Sequence, residues 1–158
     1  MAGFFGNPAR CGTFGAAAAA AKLLKLDRGA IIGALGSAGT QAAGLWQFLA
    51  DGAMSKQLHP AHAAAAGIHA AELARRGFTA AQEIFEGEKG FLRAMSRNPA
   101  PDRLTEGLGS EYRMTDNAFK KHAACRHTHS AIDAALLIRD RTSLTPEDID
   151  EISVHVYP

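Results

Sequence analysis

Apolar and polar positions along this chain fall mostly into helical periods. Gly3, Gly6, Asn7 and Pro8 make the first ten residues a turn or loop, and the block Ala16 to Ala21 then begins a helix ending near Lys25. Alanine combines the best helix propensity with little side-chain area, so this helix is expected inside a bundle, packed very close to a neighbour. Asp27 is placed to cap a second helix, Arg28 to about Ser37, and Gly39-Thr40 punctuates before a third, Gln41 to Ala50. In that third segment Ala42, Leu45 and Leu49 share a face, Phe48 and a core Trp46 widen it, and Asp51-Gly52 supplies the stop. From Pro60 a long alanine-rich helix is predicted, with Ala64, Ile68, Ala71 and Leu73 or Ala74 inward and Gly77 just past its end. Arg75 and Arg76 sit where a helix dipole favours cations and read as solvated cap residues.

Thr79 and Gln82 match a capping box for a short helix, Ala80 to Phe85, while Gly87 and Gly90 bracket another beginning near Phe91. Residues 98–113 carry two prolines, two glycines and scattered charge, the pattern of a loop or lid. Thr145-Pro146 is a helix start, yet Ile152, Val154 and Val156 alternate with Ser153, His155 and Tyr157 as a strand does. A strand beginning there has no partner elsewhere in the chain, and an isolated apolar edge is not a natural end for a domain. The expectation is a mainly α chain, a partial helical bundle with one strand at its C-terminus, forming a segment of something longer.

Composition narrows the function classes. With 47% hydrophobic residues the chain has an ordinary globular make-up, and a net charge of +1 leaves no basic field for nucleic acid. Two cysteines, Cys11 and Cys125, form neither a disulfide framework nor a zinc-ribbon spacing, so a reducing, cytoplasmic setting is the default. The apolar run Gly12 to Ala21 stops at Lys22, too short to span a bilayer, and Met1 is followed by no basic region of a signal peptide. A soluble protein without a membrane partner is expected.

Candidate chemistry concentrates in Lys120 to Asp133, KKHAACRHTHSAID, which runs into a helical pattern carrying Ile132, Ala135 and Leu136. Cations and imidazoles just ahead of a helix suit a site that binds an anion and moves a proton. Three chemistries fit. In the first, one or more of His122, His127 and His129 exchanges a proton while Lys120 and Arg126 hold substrate carboxylates. In the second, His122, Cys125, His127 and His129 ligate zinc, although their crowded spacing matches no common structural pattern. In the third, Cys125, beside Arg126 and the histidines, is a nucleophilic thiolate. A second cationic turn, Ser55-Lys56-Gln57-Leu58-His59, puts Lys56 and His59 three apart at the start of the alanine-rich helix, where a helix N-terminus would help Lys56 hold a carboxylate or phosphate. His62 and His69 read as packing or surface residues, and His155 has no assigned role.

The strings CGTFGAAAAAAKLLKLD, GALGSAGTQAAGLWQFLADGAMSKQLHPAHAAAAGIHAAELARRGFTAAQEIFEGEKGF and FKKHAACRHTHSAIDAALLI resemble, in that order, the central portion of the MmgE/PrpD family. That family includes 2-methylcitrate dehydratase, cis-aconitate decarboxylase and an iminodisuccinate epimerase. The resemblance implies a helical domain followed by a smaller α+β lid domain, divided here as 1–113 and 114–158, with the active site between them and the terminal EISVHVYP as the first lid strand. It further implies a homodimer, no metal or organic cofactor, and a small polycarboxylate substrate acted on by a lyase or, alternatively, an epimerase; a catalytically inactive helical interaction module is the third possibility. Carried over by motif, Lys56, Lys120 and His129 are the expected catalytic residues and His59, Arg126 and Cys125 the substrate-binding ones; His127, from the same cluster but outside the motif, is the second proton carrier. Where dehydratase-like and decarboxylase-like members carry a Gly-Phe-His-Pro type motif, this chain has GFFGNPARCG, with Gly6 or Asn7 in place of the imidazole.

Overall fold

The computed structural model describes residues 8–155, and the Gly6/Asn7 departure therefore lies outside the described residues. The described residues are mainly α, divided into two compact units, 1–106 and 107–158.

In the first unit three helices pack mutually: α1 (Pro8–Leu23), α2 (Arg28–Gln41) and, after a short α3 (Phe48–Asp51), α4 (Leu58–Arg75). Helix α1 starts at Pro8, so residues 8–10 belong to it and not to the expected opening loop; a proline is tolerated in a first turn because its missing N–H has no intrahelical partner there. Asp27 caps α2 as the sequence predicts, its carboxylate accepting from the Ala30 N–H at 2.8 Å. Helix α4 closes as expected at Gly77, whose φ of 81° is open to glycine without penalty. Gly77 N–H bonds to the Ala74 carbonyl and Phe78 N–H to that of Leu73, both at 3.0 Å, the Leu73 carbonyl also accepting from Arg76 N–H.

The core is built from small side chains. Ala17, Ala38 and Ala70 surround Phe14, while Ala21, Ala34, Ala71 and Ala74 form a second cluster. Close approach is what alanine and glycine allow, and at Gly67 it is obligatory: a β-carbon there would stand 2.5 Å from Ala16 Cβ and 2.6 Å from the Ala17 backbone nitrogen. Phe14 supplies most of the bulk, its ring centroid lying 4.6 Å from that of Phe85 and 4.9 Å from that of Phe91.

Four local expectations are corrected. The inward face of α4 is Ala63, Ala66, Gly67, Ala70, Ala71 and Ala74; Ala64 is exposed and Ile68 is 54% exposed, because the smallest stripe is the one that seats against α1. The predicted third helix is mostly absent, since the helical path breaks after Gln41 and Gly44 takes φ 130°, leaving only Phe48–Asp51 helical. Phe48 is buried, but Trp46 is 41% exposed and Leu45 and Leu49 more so, and Trp46 is thus not a core residue. Residues 80–85 form turns rather than a helix, yet Ile84 and Phe85 still pack on the first cluster, and their carbonyls accept from Phe91 and Leu92 at the start of α5 (Phe91–Met95).

The second unit contains α6 (His129–Arg141), with single 3-10 turns at Arg113–Asp116, Arg126–Thr128 and Pro146–Asp148. The last is closed by the Thr145 and Asp148 side chains in a reciprocal capping box. Residues 151–155 form no strand; strands need a partner ladder, and none exists among the described residues.

Candidate active site

The Lys56 turn is helical, the condition under which Lys56 and His59 share a face. Met54–Gln57 is one 3-10 turn that continues into α4 at Leu58, with Pro60 in the first helical turn. The Leu58 N–H is engaged by the Lys56 and Ser55 carbonyls, so the preceding turn consumes part of the donor set that a bare helix N-terminus would offer an anion. Lys56 is exposed, and the His59 ring packs edge-on against Phe48, centroids 5.2 Å apart. His62 lies near α2, a ring nitrogen 3.3 Å from the Gln41 carbonyl.

In the second unit the cationic segment folds back over the first turn of α6. Lys120 Nζ donates to the Ala124 carbonyl at 3.0 Å, a bond that orders the side chain without neutralising it. Cys125 and Arg126 are exposed, and the Cys125 carbonyl accepts from both the backbone and the hydroxyl of Thr128, fixing the 3-10 turn that delivers the chain to His129. His127 is exposed on that turn. His129 is the reverse: it is 8% exposed, its Nε2 is buried without a hydrogen-bond partner, and its ring stands 5.1 Å from that of His122 in an edge-to-face pair.

Asp133, which the sequence reading left without a role, organises this region. One carboxylate oxygen lies 2.7 Å from Lys121 Nζ and 2.8 Å from His122 Nε2. Hydrogen bonds from Lys121 and then His122 hold the Asp133 carboxyl below the usual carboxylate range. The sequence signal was indirect: Asp133 is four residues after His129, one helical turn along, and it is the His129 ring that packs on His122. No group of three or more His, Cys, Asp or Glu side chains among the described residues could hold a metal ion, so the four donors of the zinc alternative do not converge. Nor is any described helix long and apolar enough to cross a membrane.

Two concavities lie elsewhere. One of about 400 Å³ is bordered by Ser37, Thr40, His69 and Phe78. The other, about 650 Å³, is an apolar groove between α6 and the segment from Leu144 to Ser153. Neither is lined by the candidate residues.

Residues 2–104 match the MmgE/PrpD N-terminal domain. The chain belongs to the MmgE/PrpD family. Among curated members, it is 36% identical over 137 residues to the cis-aconitate decarboxylase-like protein oryM of Aspergillus oryzae (strain ATCC 42149 / RIB 40), covering 82% of this chain and 27% of that protein. It is 34% identical over 141 residues to human cis-aconitate decarboxylase, covering 85% of this chain and 28% of the human protein. The chain thus spans little more than a quarter of the length of these MmgE/PrpD relatives.

Proposed function

We propose that this chain carries part of the catalytic apparatus of an MmgE/PrpD lyase that acts on a small polycarboxylate, in the manner of a decarboxylase or dehydratase. The observation that carries the reading is the match, over more than four fifths of the chain, to proteins named for cis-aconitate decarboxylation. The chemistry of the cationic segment agrees with it. Breaking a bond next to a carboxylate places negative charge on the adjoining oxygens, and fixed cations aimed there stabilise the transition state more than the ground state. Lys56, Lys120 and Arg126 are the proposed electrostatic groups, with His59 and Cys125 as further binding residues. His129 is the proton carrier proposed by motif, with His127 as the second candidate. The family's helical domain is taken to extend over 1–113 and its following domain to begin at 114.

The test is incubation of the chain with cis-aconitate and, separately, 2-methylcitrate in deuterated water, followed by proton NMR. Loss of CO2 or water is the expected result, with Lys120→Ala lowering kcat/KM by roughly two powers of ten, the size of effect that follows loss of one electrostatic stabiliser. A change below threefold would remove Lys120 from the site. Deuterium exchange and inversion with no change in bond order would mean an epimerase instead, and a folded chain without turnover would mean a catalytically inactive interaction module.

A further inference from the structure

His122 and Asp133 come from different elements, eleven residues apart, and meet within 2.8 Å, where only 17% of the His122 side chain remains exposed. An ionised carboxylate can only accept hydrogen bonds, so the imidazole nitrogen facing it, Nε2, must carry the proton. In the neutral ring this leaves the lone pair on Nδ1. Lys121, bonded to the same carboxylate oxygen at 2.7 Å, favours its ionised form, and His129 packs edge-to-face on the His122 ring and restricts its rotation. A carboxylate that fixes the tautomer of an imidazole whose other nitrogen can take a proton is the arrangement general-base catalysis requires.

We propose that His122 is a catalytic proton acceptor of this segment and that Asp133 is its positioning residue. The catalytic half of the proposal rests on the lyase reading above. In the step envisaged, the substrate C–H bond next to a carboxylate breaks and its proton bonds to His122 Nδ1. The electron pair stays on the substrate as an enolate, and Asp133 compensates the imidazolium that results. Buried His129, the proton carrier proposed above by motif, packs edge-to-face against the His122 ring, so the two imidazoles form one adjacent pair.

Two measurements on the 158-residue chain test this. With ¹⁵N-labelled histidine, long-range proton–nitrogen NMR at neutral to alkaline pH is expected to find His122 as the Nε2–H tautomer. In Asp133→Ala it should relax to a mixture, and in Lys121→Met it should be retained. A mixed tautomer in the wild-type chain, or no change in Asp133→Ala, overturns the positioning role; neither result depends on turnover. In the activity arm, His122→Gln is expected to lower kcat by about 100-fold or more with KM within threefold, in the range for loss of a general base. Undiminished turnover in folded His122→Gln overturns the catalytic role and leaves the lyase reading standing. Absence of turnover in the wild-type chain overturns the lyase reading, and the catalytic role with it.

Discussion

Close packing of α1 on α4 gives one glycine-to-alanine substitution two opposite outcomes at two helical positions. At Gly67, an added β-carbon would lie 2.5 Å from Ala16 Cβ, 2.6 Å from the Ala17 nitrogen and 2.7 Å from the Thr13 carbonyl oxygen. Two of those atoms are main chain and cannot swing aside. Restoring ordinary contact at about 3.5–4.0 Å needs the helices to part locally by about 1 Å, enough to forfeit a quarter to a half of the attraction between atoms lining the seam. Overpacking of this kind costs about 1–3 kcal/mol, and obstruction by backbone argues for the upper half of that range. The gain in helix propensity, about 1 kcal/mol, offsets only part. Gly67→Ala should therefore destabilise the chain by about 1–2 kcal/mol. Gly15, on exposed α1 surface, has nothing within 4 Å of its added carbon, and Gly15→Ala should stabilise by up to about 1 kcal/mol. Since 1 kcal/mol corresponds to about 2–8 °C at this size, thermal melting followed by circular dichroism at 222 nm should move the two variants in opposite directions. A Gly67→Ala variant melting at or above the wild type would refute the packing described for this seam.

Removing the α2 cap with Asp27→Ala should cost about 1 kcal/mol in urea denaturation, while Asp27→Ser should be nearly neutral. The Asp148 carboxyl is held below its usual range, first by the Thr145 backbone N–H and then by the Thr145 hydroxyl. A depressed folded value means that this stabilisation is present above the unfolded value of about 3.9 and is lost as pH falls through the folded one. Thr145→Val, which keeps the N–H, should raise the Asp148 midpoint part of the way in a ¹³C carboxyl NMR titration. Trp46, the sole tryptophan, should emit as a solvent-contacting indole and be quenched readily by acrylamide; a blue-shifted, protected spectrum would place it in a core after all. On the lyase reading proposed above, Lys120→Ala should weaken cis-aconitate binding about tenfold or more by calorimetry, through loss of a charge-assisted contact, and the adjacent Lys121→Ala by less than threefold at about 0.15 M salt.

Helix ends proved legible where their chemistry is local. Asp27 before Arg28 and Gly77 after Arg76 were readable because a cap involves only residues a few positions apart. The phase of α4 was not. With alanine at positions 61, 63–66, 70, 71 and 74, almost any direction around the helix looks equally apolar, and the side carrying the large Ile68 stays exposed. The informative residue was Gly67, a poor helix former in the middle of a strong helix, which has its reason in close approach to α1. The third predicted helix failed at Ala42, whose backbone is already extended, and the left-handed Gly44 keeps the chain out of the helical path before the exposed Leu45 and Trp46. In the candidate site, the cations and imidazoles of 120–129 were visible as composition, but the pairing of Lys121 and His122 depended on Asp133, twelve and eleven residues on, a separation that no helical or strand period marks.

That pairing changes the accounting of charge in the segment. Lys120 and Lys121 are neighbours in sequence and equivalent by every compositional test, yet only Lys121 meets a carboxylate among the described residues. A lysine bonded to a carboxylate at 2.7 Å has its field largely cancelled at distances beyond the pair, so it contributes little to attracting a further anion. Lys120, bonded to a carbonyl, has no carboxylate against it among the described residues, and its ammonium has two further N–H donors for a ligand. Orienting an ammonium without neutralising it is what electrostatic stabilisation of a developing anion demands, since a group already fixed needs no reorganisation when the charge appears. Asp133 thus divides the segment's cations, holding Lys121 and His122 against α6, while Lys120, bonded instead to the Ala124 carbonyl, is the one proposed above to face the substrate.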